Sequence, residues 1–401
     1  MIYLFYFFAA VLIFLGYKSL RGGISYLNFF RQELAKPKSD FAPFCSIIAP
    51  CRGLEEGLHE NLAALFKQDF PNYEIIFVID DERDESVKVI EEVSRHGAKL
   101  AKLIVAGKSG HESQKVYNLR QAVLEVSDES NVFVFVDSDA RPGGDWLRNL
   151  IAPLQDETVG CATGFRWFVQ QRGGFSTHLR GVWNASAASA LGANLKSNFC
   201  WGGSLAIRRE TFERLNVREA WRGCLSDDFA VTRLMKEANL SVYFVPQCLT
   251  ATVGDCSFRE LLEFSTRQMK ITRVYAAPLW KASLIGSFIF AASFWTGVLL
   301  LFFVSDRHFW LTLILLLLIL ALGFGKAWLR LTAVKLVLKD YEKKLNRQFF
   351  AHLTLWTITP ILYFYNCMGA LFSRKIIWRG IEYRLKSATE TEVLSTNKSS
   401  N

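Results

Sequence analysis

Two aspartates, one residue apart, follow a short apolar run in the segment NVFVFVDSDARP. Residues 132–136 are strand-forming and apolar, and Asp137 and Asp139 come directly after them. Carboxylates at positions i and i+2 of a short loop suit Mg²⁺ or Mn²⁺, which bind one or two protein carboxylates together with substrate phosphates. The pattern therefore favours a nucleotide diphosphate held through a metal ion. The alternative is that both aspartates form a turn and cap the next helix.

The segments around this loop alternate between short apolar runs and amphipathic stretches. FCSIIAP, YEIIFVID, AKLIVA and NVFVFVD predict strands, and the stretches between them carry apolar residues at helical spacing. Strands that are apolar on both faces indicate a parallel sheet covered by helices, whose ligands bind beyond the carboxyl ends of the strands. No Gly-x-Gly-x-x-Gly or Walker lysine motif follows the first strand, which argues against a dinucleotide dehydrogenase or a P-loop enzyme.

An ordered set of motifs resembles the inverting family 2 glycosyltransferases, and most of all their ceramide glucosyltransferase branch. The set comprises PCRGLEEG, QDFPNYE, QKVYNL, VDSDARP, GGSLAIRRETFERL and LSDDFAVTRLMKEANL. The resemblance covers residues 42–282 and implies the GT-A fold, a Rossmann-like α/β domain with a mostly parallel sheet. Its metal would be Mg²⁺ or Mn²⁺, and its donor a nucleotide sugar.

The resemblance also implies which side chains bind the donor. Asp81 would contact the nucleotide base, and Asp137 with Asp139 would hold the metal on the diphosphate. Three of the positions have alternatives, because Glu55 could interact with a helix dipole, and Lys115 and Asn118 could each be a solvated helix residue. The complete donor-binding set is Pro50, Arg52, Glu55, Asp81, Lys115, Asn118, Asp137, Arg267 and Lys270.

The catalytic assignment falls on the acidic pair of LSDDFAVTRL. Asp228 aligns with the second residue of the family's pair and would be the general base that deprotonates the acceptor hydroxyl. The metal would neutralise the departing nucleoside diphosphate, so no general acid is required. The alternative is that Ser226, Asp227 and Asp228 only cap the following helix.

One motif departs from the family pattern. The Gln/Arg-x-x-Arg-Trp motif is replaced by TRQMKITRVY, in which Arg267, Lys270 and Ile271 occupy the expected Arg, Arg and Trp positions. Lysine lacks the bidentate fork of arginine, and isoleucine cannot stack on a sugar ring. This argues against a processive polysaccharide synthase, while an interfacial amphipathic helix is a second interpretation of the segment. The later motif WRGIEYRL resembles one of this branch, and we expect it to return to the site.

Apolar segments flank the predicted catalytic domain. The chain is 51% hydrophobic with a net charge of +9, and its charge excess lies largely beside these segments. IYLFYFFAAVLIFLGY predicts a membrane anchor within residues 1–21, and the basic residues that follow place the next domain, residues 41–282, in the cytoplasm. Nucleic acid is disfavoured as a partner because no nucleic-acid-binding motif accompanies the charge.

Residues 283–372 predict a C-terminal membrane region. Two long apolar segments separated by SDRH indicate a transmembrane hairpin. Residues 349–372 contain His352, Pro360 and Asn366, so we interpret them as re-entrant or interfacial, with a full span as the alternative. Residues 373–401 predict a basic, partly disordered tail.

These observations predict a multi-pass membrane glycosyltransferase whose catalytic domain faces the cytoplasm. Its reaction would move a sugar, glucose from UDP-glucose, to a lipid hydroxyl such as that of ceramide. Alternatives within the class are another lipid acceptor (hopanoid, diacylglycerol or polyprenyl phosphate) and a polysaccharide synthase. Outside it, an inactive lipid-binding scaffold would keep the fold without the chemistry, and a transporter is disfavoured because the membrane segments lack charge pairs.

Overall fold

The structure is a computed structural model that describes residues 2–97 and 99–396. Its strands are β1 (Cys45–Pro50), β2 (Tyr73–Ile79), β3 (Ala101–Val105), β4 (Val132–Val136), β5 (Val159–Val169), β6 (Ser204–Arg208), β7 (Ser241–Val253), β8 (Lys375–Trp378), β9 (Ile381–Leu385) and β10 (Thr391–Thr396). Its α-helices are α1 (Ile2–Leu34), α2 (Leu58–Leu65), α3 (Ser86–His96), α4 (Gln114–Ala122), α5 (Trp146–Ile151), α6 (Phe175–Ala188), α7 (Arg209–Arg214), α8 (Val217–Ala220), α9 (Asp227–Glu237), α10 (Phe258–Tyr275), α11 (Ala277–Leu300), α12 (Asp306–Val337), α13 (Glu342–Thr354) and α14 (Thr359–Phe372).

The described residues form a mixed sheet in the strand order β3-β2-β1-β4-β6-β5-β7. The pairs β3/β2, β2/β1 and β1/β4 are parallel, and β6 runs antiparallel to both β4 and β5. β1, β2 and β4 are almost entirely buried, as expected of strands whose two faces are both apolar. The predicted fold class, a mostly parallel α/β sheet of the GT-A type with additional apolar helices, is confirmed.

Side chains from both the sheet and its helices form the core on one face of the sheet. Ile76 and Phe135 from the strands pack with Leu119 of α4, with Trp221 just after α8 and with Met235 of α9. Phe135 and Trp221 meet edge to face, with ring centroids 5.3 Å apart. This packing holds α4 and α9 against the strand that precedes Asp137.

The chain divides into two compact units, which interleave along the sequence. One contains the sheet and consists of residues 33–168, 190–254 and the C-terminal part from residue 374. The other is helical and consists of the residues up to 32, residues 169–189 and residues 255–373. The predicted domains were consecutive segments, because contacts between distant stretches cannot be recognised from sequence.

Three described helices, α1, α11 and α12, are long and apolar enough to cross a membrane. A fourth candidate is the pair formed by Lys339–Thr357 and Thr359–Phe372, whose axes differ by 62°. This bend is compatible with either a broken span or a re-entrant segment. α1 extends to Leu34, beyond the predicted anchor of residues 1–21, because the helix continues through a mixed polar and apolar stretch after its apolar part.

The predicted disordered tail begins with ordered structure. β8, β9 and β10 form an antiparallel sheet from residue 375 to residue 396, and the last predicted tail residues, 397–401, lie outside the described residues. Disorder was predicted from the polar composition, whereas IEYRL forms a strand that buries alternate side chains, Ile381, Tyr383 and Leu385.

Candidate active site

The loop after β4 holds the predicted metal-binding aspartates. Asp137 Oδ1 lies 2.7 Å from Lys115 Nζ, and Asp139 Oδ2 lies 3.5 Å from a guanidinium nitrogen of Arg166. The second oxygen of Asp139, Oδ1, is buried and accepts no hydrogen bond from any described residue. Burial raises the pKa of Asp139, an effect that the Arg166 charge opposes. The loop therefore presents one carboxylate already paired with lysine and a second that lacks a full set of partners.

Lys115 links this loop to the acidic pair at the start of α9. Its Nζ lies 3.2 Å from Asp227 Oδ1, and its side chain is only 14% exposed. Burial raises the pKa of Asp227 to about 6, although the Lys115 ammonium lowers it. Asp227 Oδ2 is also buried without a hydrogen-bond partner among the described residues. One ammonium group thus bridges two predicted functional loops, and the solvated-helix alternative for Lys115 is wrong.

Gly202 permits this close arrangement. A Cβ atom at that position would overlap Asp227 Oδ2 and would lie 2.9 Å from Lys115 Nζ. This role was not predicted, because a sequence cannot show which side chains surround a glycine. Here its lack of a side chain gives Lys115 and Asp227 the space to meet.

Asp228, the predicted base, lies in the first turn of α9. Its carboxylate accepts hydrogen bonds from Ser226 Oγ and from the backbone N–H of Phe229, and Gly202 N approaches Oδ2 at 3.4 Å. Ser226 occupies the cap position but makes no side-chain capping bond. Asp228 is half-buried, unlike its neighbour Asp227. A carboxylate held in place yet partly accessible has the properties that a base for an incoming hydroxyl requires.

The residues predicted for the nucleoside lie after β1 and β2. Arg52, two residues beyond Pro50 at the end of β1, forms an ion pair with the buried Asp80. Asp81 pairs instead with Arg83, at 3.0 Å, and this guanidinium lowers the pKa of Asp81 to about 2. Asp81 is therefore ionised and partly accessible at the carboxyl edge of the sheet, where a ligand is expected.

Glu55 connects this region to the Asp-x-Asp loop. Its Oε2 accepts a hydrogen bond of 3.0 Å from Ser138 Oγ, and its Oε1 forms an ion pair with Arg379. The helix-dipole alternative is not required, since α2 begins three residues later and Glu60 is the acid in its first turn. Ser138 and Arg379 were not among the predicted residues.

The C-terminal hairpin returns to this site, as expected from WRGIEYRL. Arg379 and Gly380, both at positive φ, form the two-residue turn between β8 and β9. Arg379 also donates to the carbonyl of Arg52 at 3.2 Å, and Tyr383 OH accepts from the backbone N–H of Gln114 at 3.1 Å. The hairpin thus contacts the loop after β1 and the start of α4.

The remaining donor predictions have different surroundings. Asn118 is buried, and its Oδ1 accepts from Gln114 Nε2 at 2.8 Å, so the solvated-helix alternative is wrong for it as well. Arg267 and Lys270 belong to α10 in the helical unit, where the Arg267 guanidinium lies 5.7 Å from the Phe264 ring centroid. The contacts described above do not include them.

The residues present fit a divalent ion that also binds a diphosphate. Among the described residues, no group of three or more His, Cys, Asp or Glu side chains is arranged to hold a metal. Asp137 and Asp139 supply two carboxylates, and Oδ1 of Asp139 accepts no hydrogen bond from the described residues, so its lone pairs are free to bind a cation. Mg²⁺ and Mn²⁺ accept such a partial set when substrate phosphates and water complete it.

Known proteins resemble this chain in sequence over limited regions. Ceramide glucosyltransferase 3 of Caenorhabditis elegans is 28% identical over 121 residues, which are 29% of this chain and 26% of that protein. Ceramide glucosyltransferase 1 of the same organism is 28% identical over 81 residues, which are 20% of this chain and 17% of that protein. The alignments therefore span about a quarter of these relatives' length or less.

Two solved structures are similar at 17% identity. The mannosyltransferase PcManGT from Pyrobaculum calidifontis, in complex with GDP-Man and Mn²⁺, has a TM-score of 0.46, with 91% of this chain and 99% of that one covered. GalNAc-T7 with UDP, GalNAc and Mn²⁺ has a TM-score of 0.40, with 55% and 45% covered. The model of glycosyl transferase family 21 matches residues 6–391, nearly the whole sequence. The chain belongs to glycosyl transferase family 21.

Proposed function

We propose that this glycosyltransferase inverts the anomeric configuration of glucose as it transfers the sugar from UDP-glucose to a lipid hydroxyl such as that of ceramide. The observation that carries the proposal is the bridge that Lys115 makes between Asp137 and Asp227. It brings the predicted diphosphate-binding loop next to the acidic pair that contains Asp228. A base beside a diphosphate site is the arrangement that direct displacement at a sugar carbon requires.

In this proposal each side chain has a separate task. Asp228 removes the proton of the acceptor hydroxyl as its oxygen attacks the anomeric carbon. Asp137 and Asp139 would hold the divalent ion, which neutralises charge on the departing diphosphate when it is bound. Lys115, held by two carboxylates, adds a positive charge close to the same place. Asp81 and Arg52 would orient the nucleoside.

The proposed acceptor is a membrane lipid because long apolar helices adjoin, in the sequence, the unit that contains the sheet, here called the catalytic unit. The weak similarity to ceramide glucosyltransferases supports a sphingolipid acceptor. Residues 33 and 374 both belong to the catalytic unit, so we expect them to lie on the same side of the membrane. If α11 and α12 both cross the membrane, the chain is back on its starting side at the end of α12. Since residue 374 is expected on that same side, α13 and α14 together make no net crossing, which favours a re-entrant or interfacial segment. The basic residues after α1 assign that side to the cytoplasm.

The test uses membranes that contain the full-length protein, incubated with ceramide and several labelled nucleotide sugars. Mass spectrometry of extracted lipids should show a hexosylceramide with UDP-glucose. Asp228→Asn should reduce transfer by about 10²–10⁴-fold while UDP-glucose binding persists. Asp128→Asn, which removes an exposed carboxylate, is the matched control. Glucosylation of a different lipid would overturn the ceramide assignment, and undiminished transfer by Asp228→Asn would overturn the assignment of the base.

A further inference from the structure

Arg330 of α12 is a buried guanidinium that no carboxylate of the described residues pairs with. It is 5% exposed, and its Nε makes no hydrogen bond to any described residue. The phenols of Tyr26 and Tyr363 lie near its charge, and an un-ionised phenol does not neutralise a guanidinium. Removing a charge from water without pairing it is costly, and such charges in membrane helices mark binding sites or conduction pathways. An anion that is not part of the protein would provide the missing partner.

Two further basic side chains and a phenol lie near Arg330. Lys326, one helical turn earlier on α12, lies within electrostatic range and repels it. His352 of α13 is also within range. The hydroxyl of Tyr26 is buried and has no hydrogen-bond partner among the described residues. Lysine and arginine donate hydrogen bonds but cannot accept them, and the phenol can donate one more. The cluster therefore selects a ligand that is negatively charged and accepts several hydrogen bonds, as a phosphate group does.

The cluster lies where a membrane helix leaves its apolar stretch. The apolar part of α12 ends at Gly325, so Arg330 lies about 8 Å further along the helix axis. α1 packs beside α12 there, because a Cβ atom on Gly23 would be 3.6 Å from Lys326 Cγ. The apolar part of α1 has also ended, at Tyr17. Lipid headgroups occupy this level of a bilayer.

We propose that Lys326, Arg330 and Tyr26 form a binding site for the phosphate group of an anionic membrane lipid. Lys326 is half-buried and would meet the phosphate first, whereas Arg330 lies behind it and would pair with an inner oxygen. Inorganic phosphate offers the same oxygens, but the position of the cluster beside apolar helices favours a lipid. The site is independent of the proposed sugar transfer, since it rests only on the helical unit.

The test measures lipid binding to the full-length protein in nanodiscs. Discs contain phosphatidylcholine alone or with phosphatidylglycerol, and the lipids retained after release are counted by native mass spectrometry. Wild-type protein should retain phosphatidylglycerol selectively. Arg330→Gln and Lys326→Gln should each bind it roughly tenfold more weakly, since each loses a charged hydrogen bond. Lys343→Gln, which removes an exposed charge on α13, should bind as the wild type does.

Thermal unfolding in neutral detergent separates a ligand site from a purely structural arginine. Phosphatidylglycerol should raise the apparent Tm of wild type and Lys343→Gln, but not that of Lys326→Gln. If Arg330→Gln does not fold, Lys326→Gln still tests the site, because the Lys326 side chain is less buried than that of Arg330. An equal Tm rise with inorganic phosphate would overturn the lipid assignment. Equal lipid retention by Lys326→Gln and Lys343→Gln would overturn the site itself.

Discussion

Replacing Lys115 with glutamine should destabilise the catalytic unit strongly, because it leaves two carboxylates without their shared cation. Lys115 contacts Asp137 at 2.7 Å and Asp227 at 3.2 Å, and it is 14% exposed. Breaking a buried ion pair by removing one partner costs about 3–5 kcal/mol. The partial exposure of Asp137 favours the lower limit, so we expect about 3 kcal/mol, or roughly 6–12 °C in apparent Tm.

The cost should depend on pH in a direction set by Asp227. Its pKa in the folded protein is about 6, above its usual 3.8, so folding takes up a proton between these values. The stability contributed by that proton is present at low pH and is lost as the pH rises through 6. Removing Lys115 raises this pKa further, because the ammonium lowers it. The difference in Tm between Lys115→Gln and wild type should therefore shrink as the pH falls from about 8 to about 6.

A double-mutant cycle in detergent checks this reasoning. Asp227→Asn in the Lys115→Gln background should recover a large part of the lost stability and should remove most of the pH dependence. Lys108→Gln, which breaks a surface pair with Asp81, is the matched control and should cost no more than about 1 kcal/mol. Equal Tm losses for Lys115→Gln and Lys108→Gln, with no rescue by Asp227→Asn, would refute the bridging role.

Three further predictions concern the same unit. Gly202→Ala should lower the free energy of unfolding by about 1–3 kcal/mol and weaken donor binding, because the new methyl group displaces the acidic pair. In the control Gly192→Ala the methyl group enters open space, so neither thermal stability nor donor affinity should change. Arg379→Gln should raise the donor KM more than it lowers kcat, since the ion pair with Glu55 that orients the loop after β1 is lost. Arg384→Gln, on the same small sheet, is the control. Equal kinetics for the two variants would contradict this role of Arg379. A cysteine at Ser387 should react with a membrane-impermeant maleimide only after cells are opened, and labelling of intact cells would contradict the assigned side.

Much of the fold could be predicted from the sequence because its signals are local. The runs that become β1, β2 and β4 are continuously apolar, and only a sheet covered on both faces accommodates them. The two aspartates after β4 had to lie at the carboxyl edge of that sheet for the same reason. By contrast, the strands from residue 375 onward were missed because their alternating pattern of apolar and polar residues is short and mostly polar. Contacts with residues far away in sequence also stabilise them, such as that between Tyr383 and Gln114.

The sequence by itself determined the strands β1 to β4, their acidic edge and the apolar helices, since these follow from hydrophobic periodicity and from the order of short motifs. Only the tertiary structure decided which charges meet. Lys115 lies 22 residues before Asp137 and 112 before Asp227, yet one ammonium contacts both. Arg379 reaches Glu55 across most of the chain. Periodicity along a chain specifies which face a side chain occupies, whereas ion pairs depend on distances between elements, which only packing determines.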